Sequence, residues 1–273
     1  MKNISFFCLT LNPKHERVIN KLSYIPVGLG EKKFSNNCFN DKTNNNISEK
    51  NKFYGEYTFH YWLWNNHLEN IKTEWIGFCQ YRKFFVKENI KEKNLKFEDL
   101  DKNLVKNINT TNQDFDCILG SQFSVENYKI SKILKNHFYE FLSKPKLFFF
   151  KKKRNLKFHF DLFHGKGNLD RAIECLDPGN KIDFKNFMET RTSFNPHNMF
   201  ICKTKILKNY YNTIFPWLQK CEEVFGFENL KGYGYQRIYG FLAERFLSYW
   251  FNKNFKVKEL PIIVKDLSDY NEL

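Results

Sequence analysis

The chain has 273 residues, enough for one large domain or two small ones, and its 42% hydrophobic and 18% aromatic content excludes a disordered chain. A formal charge of +14 admits nucleic acid, an anionic membrane surface or a phosphorylated substrate as partner without choosing among them, since abundant Lys, Asn, Ile and Phe with scarce Ala is also the bias of AT-rich coding. Seven Cys with no C-x-x-C pair and no Cys/His cluster at zinc spacing point away from a zinc module and towards reduced, buried thiols in the cytoplasm.

Residues 4–10 read as a buried strand. The apolar run is too brief for a signal peptide, and nowhere do 18 apolar residues follow one another, so no membrane span is expected. Residues 24–46 read as an Asn- and Gly-rich loop. Ser48 is a candidate N-cap, with Glu49 in the first turn. Phe53, Tyr54, Tyr57, Tyr61 and Trp64 then recur at helical spacing, which predicts a helix to about Asn66. A strand over 75–79 follows, then a charged surface excursion over 87–113 and a short strand over 115–119. The spacing of Ile130, Ile133, Leu134, Phe138, Phe141 and Leu142 predicts an amphipathic helix over 128–142. The basic, Phe-rich segment 147–160 suits either an ordinary helix or loop or peripheral contact with an anionic membrane. Leu169, Ala172, Ile173 and Leu176 mark a helix ended by Asp177-Pro178-Gly179. A strand over 199–202, long helices over 204–225 and 234–252 and a last strand over 259–264 complete the chain. Strands alternating with helices predict an α/β sheet covered on both faces, in a single domain.

Four constellations carry candidate chemistry. Asp41, Asn46, Ser48, Lys50, Asn51, Tyr54 and Glu56 gather around a helix start, where free N–H groups suit an anion or a sugar. Gln80, Tyr81, Arg82 and Lys83 follow a buried strand directly, and ligands of open α/β sheets bind beyond the carboxyl ends of strands. A guanidinium there suits phosphate or carboxylate oxygens. His197 and Asn198 stand at the mouth of the 199–202 strand, where a histidine can act as general base. Arg237, Glu244 and Arg245 lie in the last long helix, either as a buried anchor or as a diphosphate grip. Asp99/Asp101 and Asp114/Asp116 both spell D-x-D, the spacing that holds Mn or Mg on a sugar diphosphate, but the second pair leads into a strand rather than ending one.

Asp41, Asn46-Ile47-Ser48, Lys50-Asn51, Tyr54, Glu56, Thr58, Tyr61-Trp62, Trp64-Asn65, Ile76-Gly77, Cys79 and Tyr81-Arg82 together resemble the DUF4422 family of predicted bacterial polysaccharide-biosynthesis glycosyltransferases. Family-like stretches recur at residues 197–201 and 240–245. The chain departs from the family pattern at Asn44-Asn45, which replaces Gly-Asp, at Gln80, which replaces His, and at Lys83, which replaces Arg. The resemblance implies a GT-A-like, mixed but mainly parallel sheet flanked by helices, with long C-terminal helices. Residues 1–125 would form the nucleotide-sugar half and 126–273 the acceptor half. It implies transfer of a sugar from a nucleotide-diphosphate sugar, UDP-linked and of galactose type in the leading reading, onto a saccharide or lipid-linked acceptor of a capsule, lipopolysaccharide or exopolysaccharide. Arg82, Lys83 and Arg245 are then the expected leaving-group stabilisers, and His197 the base, with Glu56 or Asp116 behind it. A nucleic-acid-binding protein and an inactive assembly scaffold are the rival readings.

Overall fold

Side chains alternate between two apolar layers along every central strand, and that period of two makes the sheet. The protein is described by a computed structural model for residues 3–109, 114–126 and 154–270. In chain order it comprises β1 (Ile4–Thr10), α1 (His15–Lys21), β2 (Ile25–Gly28), β3 (Phe39–Asn40), α2 (Asn51–Tyr54), α3 (Tyr57–Asn66), β4 (Trp75–Gln80) and β5 (Lys83–Phe85). Next come α4 (Phe97–Asn103), β6 (Cys117–Gly120), β7 (Phe123–Ser124), α5 (Leu156–His164), α6 (Asn168–Glu174), α7 (Pro178–Thr190) and β8 (Ser193–Phe194). The chain closes with β9 (Phe200–Lys203), α8 (Thr204–Phe225), α9 (Tyr233–Gln236), α10 (Ile238–Asn254), β10 (Val257–Leu260) and β11 (Ile262–Val264).

The main sheet runs in the order β3-β2-β1-β4-β9-β6-β10, with β5 paired to β4 and β11 to β5. Strands β3, β2, β1 and β4 are mutually parallel, as are β6 and β10, while β9 runs antiparallel between β4 and β6. The sheet is therefore mixed and mainly parallel, as expected. Phe7, Leu9, Ile76, Phe78, Leu119, Phe200 and Cys202 face the layer built from α2, α3, α8 and α10. Ile4, Phe6, Cys8, Trp75, Cys79, Ile118 and Ile201 face the other, which holds residues of α1 and α4. Strands from both proposed halves of the chain pair directly, β4 with β9 and β6 with β10.

Several local expectations change. The helix expected from Phe53 to Asn66 is broken at Gly55, whose backbone (φ 59°, ψ −130°) lies in a region that suits glycine. The 24–46 loop contains β2 and β3, and the 87–113 excursion carries α4, with Leu100, Leu104, Val105 and Ile108 buried. Asp177 and Pro178 open α7 rather than only ending a helix: the Asp177 side chain accepts from Asn180 N–H at 3.1 Å. The 259–264 strand is split at Pro261, which has no N–H to give to a ladder. The helix expected over 128–142 and residues 147–153 of the basic segment lie outside the described residues. All seven Cys are free thiols, and six of them are buried.

At Gly77 an added Cβ would stand 3.0 Å from the Phe6 ring and 3.2 Å from Ile201, so a side chain here would force those neighbours to shift by a few tenths of an ångström. Gly77→Val should cost about 1–3 kcal/mol by overpacking. Urea unfolding checks this, and an unchanged midpoint would mean that the layer is looser than described.

Candidate functional site

Because β9 is antiparallel to β4, the residues that lead into β9 lie beside the residues that end β4. Gln80, at the end of β4, gives its amide N–H to the His197 carbonyl at 2.9 Å. The chain then turns through Tyr81 and Arg82 and returns as β5, so that Lys83 pairs directly with Gln80. Strand β11 fastens this hairpin: Lys265 N–H bonds the Arg82 carbonyl and Leu267 N–H the Tyr81 carbonyl, both at 3.0 Å. Tyr81 stacks on His15, whose ring is held by Thr10 and Ser268.

The break at Gly55 delivers the next side chain, Glu56, to the same rim. Its carboxylate accepts from Gln80 Nε2 at 2.5 Å and pairs with Arg237 at 3.4 Å. Arg237 reaches it across Gly55, where an added Cβ would stand 2.1 Å from the guanidinium. Helix α10 supplies Phe241 and Glu244. His197 and Asn198 both have left-handed backbone (φ 84° and 53°), a conformation that costs a non-glycine residue energy and is found at functional sites. The turn is held by Glu244, which accepts from His197 N–H at 2.6 Å, and by Asn198 Nδ2, which donates to the Gly240 carbonyl at 3.2 Å.

These groups line a polar cavity of ≈170 Å³ whose walls include Glu56, Gln80, Arg82, Lys83, His197 and Arg237. Three cations face two carboxylates, Glu56 and Glu244. Arg82 is exposed on the hairpin, lies over the Tyr81 ring at 5.6 Å and has no carboxylate partner among the described residues. The neighbouring Lys83 gives a hydrogen bond to His197 Nδ1 at 3.0 Å. A lysine has only donors, so Nδ1 is the acceptor and the ring proton sits on Nε2. Burial, then the Lys83 charge, pushes the His197 pKa down to about 4. Burial also lowers the pKa of Lys83. His197 is thus a neutral Nε2–H donor near neutral pH, with Nδ1 engaged by Lys83.

The remaining candidates are placed elsewhere. Asp116 lies at the far end of the sheet, paired with Lys203 at 2.7 Å, and about 17 Å along β9 separates Lys203 from the His197 turn at ~3.4 Å per residue. It cannot stand behind His197. Asp114 pairs on the surface with Lys256 at 2.5 Å. Among the described residues no three His, Cys, Asp or Glu side chains gather to hold a metal ion. Arg245 is 2% exposed, bonded to Glu244 and stacked on the Phe194 ring at 3.6 Å. It therefore braces Glu244 and borders the aromatic cavity described below rather than the cationic one.

Most of the cluster around the helix start is engaged in internal bonds, Asp41 excepted. Asn46 Oδ1 accepts from Ser48 N–H and Oγ, so Asn46 takes the capping role expected of Ser48. Lys50 (2.8 Å) and Tyr54 (2.6 Å) both bind Glu222 on α8, and Asn51 ties Gly55 to Thr58. Asp41 is buried with both carboxylate oxygens unpartnered, and burial raises its pKa. Arg237 and Glu244, which the sequence left between anchor and diphosphate grip, line the cavity, together with Tyr233 and Phe241, which the sequence did not single out.

A second, aromatic cavity of ≈410 Å³ opens beside the polar one and shares His197, Tyr233, Phe241 and Glu244 with it. No described helix is long and apolar enough to cross a membrane.

Residues 9–255 match the profile of DUF4422, a domain of unknown function. Comparison with curated protein sequences gives no match. Among solved structures, the chain is similar to the apo form of WbbM, a bifunctional glycosyltransferase, with a TM-score of 0.69 and 21% identity. That similarity covers 96% of this chain and 45% of WbbM, so the chain spans under half the length of that protein. The two share a fold. The mannosyltransferase Ktr4p from S. cerevisiae aligns over 96% of this chain and 70% of its own at 9% identity, with a TM-score of 0.36, too low to bear on the fold.

The His197 ring should titrate near pH 4 rather than near 6.5, and Lys83→Met should move that midpoint upward by removing the neighbouring cation. Ring-resonance NMR titration reads both. The folded value lies below the unfolded one, so this histidine's share of stability is complete above pH 6.5 and declines as pH falls from there towards 4. A midpoint near 6.5 would place the ring in open solvent.

Proposed function

The chain belongs to the DUF4422 family, and from that premise and the cationic cavity we propose that it is a glycosyltransferase. It moves a sugar from a nucleotide-diphosphate sugar onto a saccharide or lipid-linked acceptor of a bacterial surface polysaccharide, with UDP as the first donor nucleotide to test. The fold shared with WbbM, a glycosyltransferase, supports this reading. The observation that carries it is the convergence of Arg82, Lys83 and Arg237 on one cavity at the carboxyl rim of the sheet.

The reaction breaks the bond between the anomeric carbon and a phosphate oxygen, and negative charge grows on the departing diphosphate. Preorganised cations aimed at that charge stabilise the transition state more than the ground state. Arg82 is free to close on oxygens from the hairpin, whereas Arg237 is aimed by Glu56 and Gly55. His197 adds an Nε2–H donor without adding charge. A proton must also leave the acceptor hydroxyl. With His197 neutral and occupied at Nδ1, Glu56 and Glu244 are the groups placed to receive it. Gln80 can hydrogen-bond but cannot take a proton, and it serves here to fix Glu56.

The nucleic-acid alternative draws less on the aromatic content than the composition suggested: Tyr54, Tyr57, Phe59, Phe78, Tyr210 and Tyr211 are all buried in the core, where no base can stack on them.

Arg82→Ala should lower transfer by about 10²–10³-fold, the usual cost of losing a charge-stabilising donor. The exposed position of Arg82 leaves the melting temperature in place. Release of UDP from a panel of UDP-sugars, with and without magnesium or manganese, measures the first effect, and a thermal scan the second. Full activity in the variant would remove Arg82 from the site. Failure of every nucleotide to raise the wild-type melting temperature would count against the transferase reading as a whole.

A further inference from the structure

We infer that the aromatic cavity beside the cationic one is the acceptor subsite, that it takes a saccharide, and that Glu244 accepts a hydrogen bond from the hydroxyl to be glycosylated. The inference rests on the transferase reading above and deepens it. The cavity's apolar walls are Phe123, Phe163, Phe194, Pro196, Tyr233 and Phe241. Two of these rings stand open: Phe123 is 42% exposed and Tyr233 is 65% exposed. Large exposed rings around a concavity mark a surface that something covers.

Three features favour a sugar over a lipid chain or a nucleobase. The rings offer flat apolar faces, which suit the C–H face of a sugar ring. The floor is polar: Glu244 and Arg245 lie there as a bonded pair, and His164 Nδ1–H donates to the Gly234 carbonyl at 3.0 Å. A wholly apolar chain would bury that floor without satisfying it. Finally, the two cavities meet at Glu244, between the diphosphate cations and the aromatic walls, so a hydroxyl bound in one faces a donor bound in the other. A nucleobase seated here would fill the space from which an acceptor must approach.

Glu244 is built to hold its position. One oxygen accepts from His197 N–H at 2.6 Å and the other from the buried Arg245 guanidinium. Each oxygen keeps a lone pair for a further donor. The left-handed backbone of His197 aims its N–H at the carboxylate.

The test is saturation-transfer NMR on the full chain with methyl glucoside, methyl galactoside and methyl mannoside, alone and with UDP or farnesyl phosphate added. At least one glycoside should show saturation on its ring C–H protons, and UDP should leave that signal in place. Phe123→Ala, at an exposed position that keeps the fold, should weaken the glycoside about tenfold with UDP affinity unchanged. Glu244→Gln, which retains an acceptor for His197 N–H, should weaken it to a similar degree. The assignment is overturned if no glycoside gives a signal, if Phe123→Ala leaves the signal unchanged, or if UDP or farnesyl phosphate displaces the sugar. Phe123-dependent glycoside binding in a protein that binds no nucleotide would keep the saccharide pocket and defeat the transferase reading instead.

Discussion

The reversal of one strand governs the site. Six strands of the main sheet path point one way, and β9 runs against them between β4 and β6. Had β9 run parallel, His197 and Asn198 would lie at the amino edge of the sheet, beside Asp116, and the β4–β5 hairpin would face a bare rim. Running antiparallel, β9 places the residues before it next to the residues after β4. The Gln80–His197 hydrogen bond is the direct product of that choice.

Around this junction the molecule holds conformations and charges that are unfavourable in isolation. His197 and Asn198 are twisted into left-handed geometry, Lys83 is drawn partly out of water, and Arg245 is fully enclosed. Each is offset by a specific contact: Glu244 on His197, His197 on Lys83, Glu244 and Phe194 on Arg245. Strain and desolvated charge gathered in one place, and supported from several elements, single this junction out as the candidate functional site.

How much of this was legible in the sequence depended on whether the signal was local. Strands β1 and β4 and helix α8 were readable because their apolar patterns carry the information themselves. The hairpin after Gln80 and the turn before Met199 were recognised as strand mouths for the same reason. The direction of β9 was not legible, since nothing in Phe200-Ile201-Cys202 distinguishes a parallel from an antiparallel neighbour. Lys50 and Tyr54 looked like ligand groups because their partner, Glu222, is about 170 residues away. On α10 the sequence favoured Arg245, which resembled the family pattern. The structure gives the cavity-lining role to the half-buried Arg237, two turns earlier, because the cap of α10 faces the broken helix and its middle faces the core. Gln80, where the family pattern has His, meets Glu56 as a fixed, uncharged donor.

The contact between Gly55 and Arg237 has an evolutionary consequence. The two positions lie 182 residues apart, yet the space denied to a methyl group at one is filled by the guanidinium of the other. A side chain at 55 would push the guanidinium off its line to Glu56, so the fold could tolerate the change while the cavity lost the aim of its arginine. The two sites should therefore covary as a yoked pair among related chains, through the cavity rather than through the core.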